Sequence, residues 1–171
     1  MVHFKKKHFI HFSVYWLPPI LWAGLIFYAS SQPYENQDLR PALSSNFNLN
    51  FTEELFSDVA FYYAGSEVSI ETRGVEGFVE FFIRKGAHLG VYFILGFLVF
   101  RLIRTYISQP SKTFFISFFL VVLYAATDEL HQYFVPNRTG IIDDVILDSI
   151  GGLLGIIVAI FLYKKRNRRL I

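Results

Sequence analysis

Four apolar runs dominate this sequence, and they restrict the chain to a fold built in a membrane. The runs cover residues 14–29, 89–100, 114–126 and 145–163, and the last of them contains one charged residue, Asp148. A helix needs about 20 residues to cross the hydrocarbon core of a bilayer, so the two shorter runs must extend into polar neighbours. With 53% hydrophobic residues, the chain carries more apolar surface than a soluble domain of 171 residues can bury.

Basic residues flank these runs in a pattern that predicts how the helices are oriented. Most of them fall into three clusters, at residues 5–7, 101–112 and 164–169. Basic clusters beside membrane helices stay in the cytoplasm. We therefore predict an all-α integral membrane protein with four transmembrane helices, cytoplasmic N and C termini, and an extracytoplasmic loop that contains short amphipathic helices. All 14 acidic residues then fall on the outer side.

The predicted spans cover about residues 10–30, 82–103, 113–134 and 144–163, which leaves residues 31–81 as the outer loop. This loop contains two amphipathic pieces, at residues 53–63 and 75–83, that predict short helices near the membrane surface. The second piece can instead begin the second span as one long helix broken near Gly86. The N-terminal residues 5–31 also have the pattern of a secretory signal peptide, but the apolar run is long for one, so we expect this span to be retained.

Charged and polar residues occur at similar depths on three of the predicted helices. Counting about 1.5 Å per residue from the basic clusters places His88, Asp128 and Asp148 about 20 to 24 Å along their helices. These positions lie in the outer leaflet of a hydrocarbon core about 30 Å thick. Charges at this depth are costly and usually serve a function. We predict that one outer-leaflet site contains Arg84, Lys85, His88, Asp128, Glu129, Gln132, Arg138, Asp144 and Asp148.

The basic members of this set are suited to binding an anion. Arg84, Lys85 and His88 share a helix face and can hold an anionic headgroup, although interfacial snorkelling and a simple salt bridge explain them equally well. Arg138 can clamp a phosphate or carboxylate with two hydrogen bonds, or it can pair with Asp144.

The remaining members are acids and an amide, for which two roles stay open. Gln132, Asp144 and Asp148 complete the predicted ligand-binding set, whereas Glu129 and Asp128 are the catalytic candidates if the protein is an enzyme. A buried structural network is the alternative for all of them. The predicted site includes no metal ligands, and no cofactor is identified, but an enzyme using a hard divalent ion on the four acids is a variant of the catalytic hypothesis.

Three motifs in this sequence resemble those of the VanZ-like family. They are R-K-G-A-H at residues 84–88, D-E-L-H-Q-Y-F-V-P-N-R-T-G at 128–140 and D-D-V-I-L-D-S-I-G-G at 143–152, and S-S-Q-P at 30–33 fits as well. Asn137 and Asp143 depart from the residues that are usual in this family. The resemblance implies a single VanZ-like domain over residues 1–171, in a multi-pass protein of the bacterial plasma membrane whose polar site faces the extracytoplasmic side.

The family is named for a membrane protein associated with resistance to the glycopeptide antibiotic teicoplanin, so the resemblance also implies lower susceptibility to teicoplanin and a role at the cell envelope. It supplies no reaction. Three classes of function therefore remain open. The first is a protein that binds or shields an anionic amphiphile, namely a membrane lipid, a lipid-linked cell-wall precursor or a lipoglycopeptide.

The second class is an intramembrane hydrolase or transferase that acts on a lipid phosphate or a lipid-linked wall precursor. The third is a small transporter or flippase, for which four spans are few unless the protein oligomerises. The sequence contains no P-loop, GxSxG or HExxH motif, and its lack of cysteine excludes a thiolate nucleophile. No nucleic-acid partner is expected, because the basic C terminus fits a topology anchor.

Overall fold

The computed structural model describes residues 8–168, with side chains described as far as Lys165. Four of its helices are long and apolar enough to cross a membrane, which confirms the predicted all-α membrane fold. The elements in chain order are α1 (His8–Ser30), a 3₁₀ turn (Tyr34–Gln37), α2 (Arg40–Asn46), α3 (Asn50–Phe56), β1 (Ala60–Tyr63), β2 (Ser66–Ser69), α4 (Ile70–Arg104), α5 (Pro110–Tyr133) and α6 (Ile142–Arg168).

One end of the bundle gathers the described basic residues that flank the spans. The guanidinium of Arg101 lies over the ring of Tyr15 near the start of α1, and that of Arg104 lies over Tyr163 near the end of α6. Residues 5–7 and Arg169, which complete the predicted basic clusters, lie outside the described residues. The cytoplasmic location of this end stays a prediction.

Helix α1 contains a π-helical stretch, Phe12–Trp16, directly before Pro18 and Pro19. A proline inside a helix lacks the backbone N–H and its ring clashes with the carbonyl four residues earlier. The stretch includes Val14, whose carbonyl is the one that Pro18 would meet. The wider π turn is therefore the local response to the proline pair.

Helices α4 and α6 pack with their backbones in contact. A Cβ on Gly155 would lie 1.9 Å from the carbonyl oxygen of Phe93, and one on Gly151 would lie 2.4 Å from that of Leu89. A Cβ on Gly96 would lie 2.2 Å from the carbonyl oxygen of Gly152. Small residues that let helix backbones approach are a common basis of association in membranes. This contact fixes the polar face of α4 against that of α6.

Helix α5 covers the α4–α6 pair, and the apolar core lies between these helices. The side chains of Tyr92, Val121 and Ala125 are fully buried in one cluster. Helix α1 is attached at the edge, where the Trp22 indole donates to the carbonyl of Val91 and the Tyr124 hydroxyl donates to the carbonyl of Ala23. A cavity lined by Lys85, His88 and Asp144 lies at the end of this bundle away from Arg101.

The segment between α1 and the membrane span of α4 differs from its sequence-based prediction. Residues 53–63 do not form one amphipathic helix, because α3 ends at Phe56 and β1 pairs with β2 in an antiparallel hairpin. The turn residues Ala64 and Gly65 both have positive φ, at 50° and 75°. Two-residue hairpin turns of this kind match the twist of the strands and need positive φ at both positions. The turn sequence Tyr-Ala-Gly-Ser is only weakly typical of a hairpin, whereas the apolar residues before it have helical spacing. The sequence therefore predicts a helix where the structure has a strand.

Helix α4 is broken at Gly74, not near Gly86. Gly74 has φ 69° and ψ 164°, which is not a helical conformation, whereas Gly86 lies within the continuous helix. Residues 75–83 therefore begin the second long helix, as one of the two sequence-based alternatives proposed. The break turns the chain from the hairpin into the membrane span.

Replacing Gly74 with alanine should destabilise the fold by about 1 to 3 kcal/mol, because side chains other than glycine rarely adopt this backbone conformation. The matched control is Gly86→Ala, which adds a Cβ to open space in regular helix and should leave stability equal or slightly raised. Thermal unfolding of the two variants in detergent measures the difference. Equal melting temperatures would contradict the conformational role of Gly74.

Candidate functional site

The structure brings the nine predicted site residues together at one end of the bundle. Helix α4 contributes Arg84, Lys85 and His88, α5 and α6 contribute the four acids and Gln132, and the 135–141 turn contributes Arg138. The five residues from α5 and α6 are buried: Asp128, Glu129, Gln132, Asp144 and Asp148. Residues that the sequence places at similar depths on three helices therefore lie close together in the structure.

Asp144 lies at the start of α6 between two donors. The ammonium of Lys85 and the hydroxyl of Tyr63 each lie 2.5 Å from Asp144 Oδ1. Burial, followed by the hydrogen bond to Asp144, raises the pKa of Tyr63, so this hydroxyl stays protonated. The alternative in which Arg138 pairs with Asp144 is not found: Asp144 Oδ1 accepts from Lys85 and Tyr63, and Arg138 donates to glutamine side chains.

His88 and Asp148 form a second contact between α4 and α6. His88 Nδ1 lies 3.3 Å from Asp148 Oδ1, and the Asp148 side chain is 0% exposed. The other oxygen, Oδ2, is buried and has no hydrogen-bond partner among the described residues. A buried carboxylate oxygen without a donor is costly, so this atom calls for a ligand, an ion or a proton.

Asp128 is held by neutral donors, not by a cation. Its Oδ2 accepts hydrogen bonds from the hydroxyls of Ser30 at 2.9 Å and Tyr92 at 3.1 Å, and from the amide of Gln132 at 3.2 Å. Its Oδ1 is buried without a partner in the described part of the chain. Among the described residues, Asp144 thus has a lysine partner and Asp148 a histidine partner, whereas Asp128 has neutral donors alone.

Glu129 contacts the turn between α5 and α6. Its Oε2 accepts the backbone N–H of Ile141 at 2.9 Å, and its Oε1 accepts from Gln132 at 3.3 Å. Gly140 makes this approach feasible, since a Cβ there would lie 2.3 Å from the carbonyl oxygen of Glu129. The side chains of His88, Glu129 and Asp148 each have a nitrogen or carboxylate oxygen that could ligate a metal ion, and these three atoms lie within 4.8 Å of one another.

Arg138 is surrounded by amide oxygens. Its guanidinium donates to Gln132 Oε1 at 2.8 Å and to the side-chain oxygen of Gln37, and its Nε is buried without a partner in the described part of the chain. Burial, and then the positive charge of Arg84, lowers the pKa of Arg138. A guanidinium titrates so far above neutral pH that it remains charged. Arg138 thus presents a positive charge without a described carboxylate partner.

Arg84 belongs to a network at the rim of the site. It lies 2.7 Å from Glu80 Oε1 one helical turn earlier, and its guanidinium lies 4.4 Å from the centre of the Tyr34 ring. Arg40 also approaches Glu80, at 3.7 Å, and it holds Asp38 so closely that the pKa of Asp38 falls to about 2. The 3₁₀ turn and α2 are thereby joined to α4.

Two cavities adjoin the cluster. The outer cavity has a volume of about 410 Å³ and is polar, with Arg73, Lys85 and Asp144 among its lining residues. The inner cavity has about 400 Å³ and lies between α1 and α4, where Leu25 and Val91 contribute apolar walls. Three residues line both cavities: Arg84, His88 and Arg138.

The matched family is the same one that the motifs suggested. A family model described as VanZ/LLP1 matches residues 15–163. The chain belongs to the VanZ/LLP1 family. No curated protein and no solved structure gives a significant match.

Several residues around this VanZ/LLP1 site were absent from the sequence-based set. Glu80 could have been found, because it precedes Arg84 by four residues on a helix and forms a helical ion pair. Ser30, within the S-S-Q-P motif, and Tyr92, one turn after His88, also carried weak signals. Tyr63 and Gln37 carried none, since their positions depend on the hairpin and on the 3₁₀ turn.

Proposed function

We propose that this VanZ/LLP1 protein binds an anionic amphiphile in the outer leaflet of the membrane, with the headgroup in the outer cavity and the apolar chain in the inner cavity. The observation that carries the proposal is the shared wall of the two cavities, formed by Arg84, His88 and Arg138. A cavity lined mostly by charged and polar side chains and a cavity with apolar walls on α1 and α4 meet there, which matches the two halves of such a ligand. Cavities of about 300 to 1,000 Å³ commonly hold small ligands.

The charge of the outer cavity supports an anionic headgroup. Lys85 is neutralised by Asp144 and Arg84 by Glu80, but Arg138 forms no ion pair with any described residue. The positive charge of Arg84 acts on Arg138 unfavourably. An anion between the two guanidinium groups would relieve that repulsion and fill donor sites that match phosphate or carboxylate oxygens.

The inner cavity supports an apolar chain. On the α1 side its lining includes Leu25, Ile26 and Ala29, and on the α4 side Ala87 and Val91. The cavity therefore offers a route between two helices for the part of a lipid that stays in hydrocarbon. The ligand classes proposed are a membrane lipid, a lipid-linked wall precursor and a lipoglycopeptide such as teicoplanin.

Replacing Arg138 with glutamine should weaken binding of short-chain phosphatidic acid about tenfold or more, because hydrogen bonds to charged groups contribute about 1.5 to 3 kcal/mol. The matched control is Arg101→Gln, which removes an exposed guanidinium at the other end of the bundle. Isothermal titration of the detergent-solubilised protein gives the affinities. Glycerol phosphate and diacylglycerol, which carry the headgroup or the chains alone, should bind more weakly than phosphatidic acid.

Equal affinity of the wild type for phosphatidic acid and diacylglycerol would contradict an anion site, and so would equal losses in both variants. The same two variants extend the test to cells. Expression of wild type and Arg101→Gln in a susceptible Gram-positive host should lower teicoplanin susceptibility more than vancomycin susceptibility, while Arg138→Gln should not. Unchanged susceptibility with every protein would remove antibiotic protection from the proposal.

A second candidate function is an intramembrane hydrolase or transferase that acts on a lipid phosphate. Its support is the position of His88, Glu129 and Asp148 beside the wall that the two cavities share. Acid and base groups next to cations that hold a phosphate are what such a reaction requires. Glu129 and Asp128 remain the proposed catalytic residues. Incubation of a labelled lipid phosphate decides between the functions, because turnover that Glu129→Gln abolishes indicates an enzyme and unaltered retention indicates a binding protein.

A further inference from the structure

Three side chains with metal-ligating atoms meet where α4, α5 and α6 approach one another. His88 comes from α4, Glu129 from α5 and Asp148 from α6, and one donor atom of each lies within 4.8 Å of the other two. Donors that share a transition-metal ion at about 2.0 to 2.2 Å lie about 3 to 4.4 Å apart. His88 Nδ1 and Asp148 Oδ1 already lie 3.3 Å apart. The other separations, each within 4.8 Å, lie in this range or at most about 0.4 Å beyond it.

An unpartnered buried atom points to a ligand at this place. Asp148 is fully buried, and its Oδ2 has no hydrogen-bond partner among the described residues. Glu129 is also buried, and the hydrogen bonds described for it come from neutral donors, the backbone N–H of Ile141 and the amide of Gln132. Two buried carboxylates that share one histidine are poorly compensated in the low dielectric of the bilayer.

The other charged side chains nearby form no ion pair with Glu129 or Asp148 in the described part of the chain. Lys85 contacts Asp144 at 2.5 Å, and Arg138 donates to amide oxygens. Asp128 accepts from hydroxyls and an amide, so the four-acid metal set considered from the sequence is divided by the structure. A different set with one imidazole and two carboxylates takes its place.

We infer that His88, Glu129 and Asp148 bind one divalent first-row metal ion, with Zn²⁺ and Mn²⁺ as the species that suit this donor set. Imidazole favours Zn²⁺ over Mg²⁺ or Ca²⁺, and carboxylate oxygens accommodate both Zn²⁺ and Mn²⁺. The ion supplies positive charge to both carboxylates and a partner for Asp148 Oδ2. Three protein ligands leave coordination positions open, as in catalytic zinc sites.

The open coordination positions allow the ion to contact a ligand in addition to the three side chains. His88 lines both cavities, so an ion bound beside it would meet an anionic headgroup held between Arg84 and Arg138. This consequence rests on the proposed amphiphile binding, whereas metal binding itself does not. The two are separable, because the ion can be titrated without any lipid ligand.

The test is metal titration of protein that has been stripped with a chelator in detergent. Wild type should take up about one Zn²⁺ or Mn²⁺ per chain, and Asp148→Asn and Glu129→Gln should each weaken binding at least about tenfold, since even indirect disturbance of a metal site costs about 10- to 100-fold. Mg²⁺ and Ca²⁺ should bind more weakly than Zn²⁺. The matched control is Asp143→Asn, which removes an acid from α6 that does not belong to the group of His88, Glu129 and Asp148 and should keep wild-type affinity.

Folding of each variant is checked by size-exclusion chromatography and by melting temperature without metal. Addition of Zn²⁺ should then raise the melting temperature of wild type and Asp143→Asn, but not of Asp148→Asn or Glu129→Gln. Absence of stoichiometric uptake by wild type would overturn the inference. So would wild-type affinity in a folded Asp148→Asn or Glu129→Gln protein, because the ion would then bind elsewhere, for example at His8 or His11. Both outcomes leave the binding of phosphatidic acid in metal-free buffer unaffected.

Discussion

Replacement of Gly155 by leucine is expected to prevent α4 and α6 from packing. Even a Cβ at this position would lie 1.9 Å from the carbonyl oxygen of Phe93 and 3.0 Å from the backbone nitrogen of Phe97. Because both obstructing atoms belong to a backbone in mid-helix, no side-chain rotation can relieve the overlap. Overpacking costs about 1 to 3 kcal/mol and occasionally more, and a backbone clash falls at the upper end of that range.

The expected observation is a loss of monodisperse folded protein, or a large fall in melting temperature, when Gly155→Leu is purified in detergent. The matched control is Gly90→Leu, which places the same side chain on α4 where no atom lies within 4 Å of the new Cβ. That variant should fold as the wild type does. A melting temperature for Gly155→Leu equal to that of Gly90→Leu would contradict the backbone contact between α4 and α6.

Replacement of Lys85 by methionine is expected to be the most damaging change within the polar cluster. It removes the cation from the buried carboxylate of Asp144, which is 2.5 Å away, and leaves the Tyr63 hydroxyl as the other donor. Breaking a buried pair by removing one partner costs about 3 to 5 kcal/mol, because the remaining charge is uncompensated. The matched control is Arg84→Met, which should cost less, because the Arg84 side chain is more exposed and Glu80 keeps contacts with Arg40 and Tyr34.

A double-mutant cycle separates this pairing from loss of packing. Asp144→Asn removes the charge but keeps an oxygen that can accept from Tyr63, so Lys85→Met/Asp144→Asn should recover most of the stability lost in Lys85→Met. Melting temperatures of the four proteins in one detergent supply the cycle. Additive losses would show that Lys85 and Asp144 act independently, contrary to their contact.

The membrane part of the fold could be predicted from the sequence because it depends on length and depth. A helix rises by a fixed amount per residue, so counting from a basic anchor such as Arg101 gives His88 a depth similar to that of Asp148 without any knowledge of packing. The same count cannot give rotation about the helix axis. That rotation is set by the close approach of Gly155 to Phe93, and it decides which of the acids each cation meets.

The outer part of the site could not be predicted, because its geometry depends on backbone turns. The positive φ angles of Ala64 and Gly65 close a hairpin that carries Tyr63 to Asp144, and the periodicity of the preceding residues suggests a helix instead. Arg138 is a similar case. Arg138 donates to Gln37 and not to Asp144 because the 3₁₀ turn and the 135–141 turn bring Gln37 and Arg138 together. No spacing in the sequence predicts that contact.

The glycine contact between α4 and α6 also determines which parts of the molecule can move. Two helices whose backbones touch cannot slide or roll past each other without collision, so they act as a rigid wall behind the inner cavity. The opposite wall is α1, which is tied to the bundle by side-chain hydrogen bonds such as those of Trp22 and Tyr124. The width of the inner cavity is therefore set by the position of α1 against this fixed wall, which depends on its side-chain contacts.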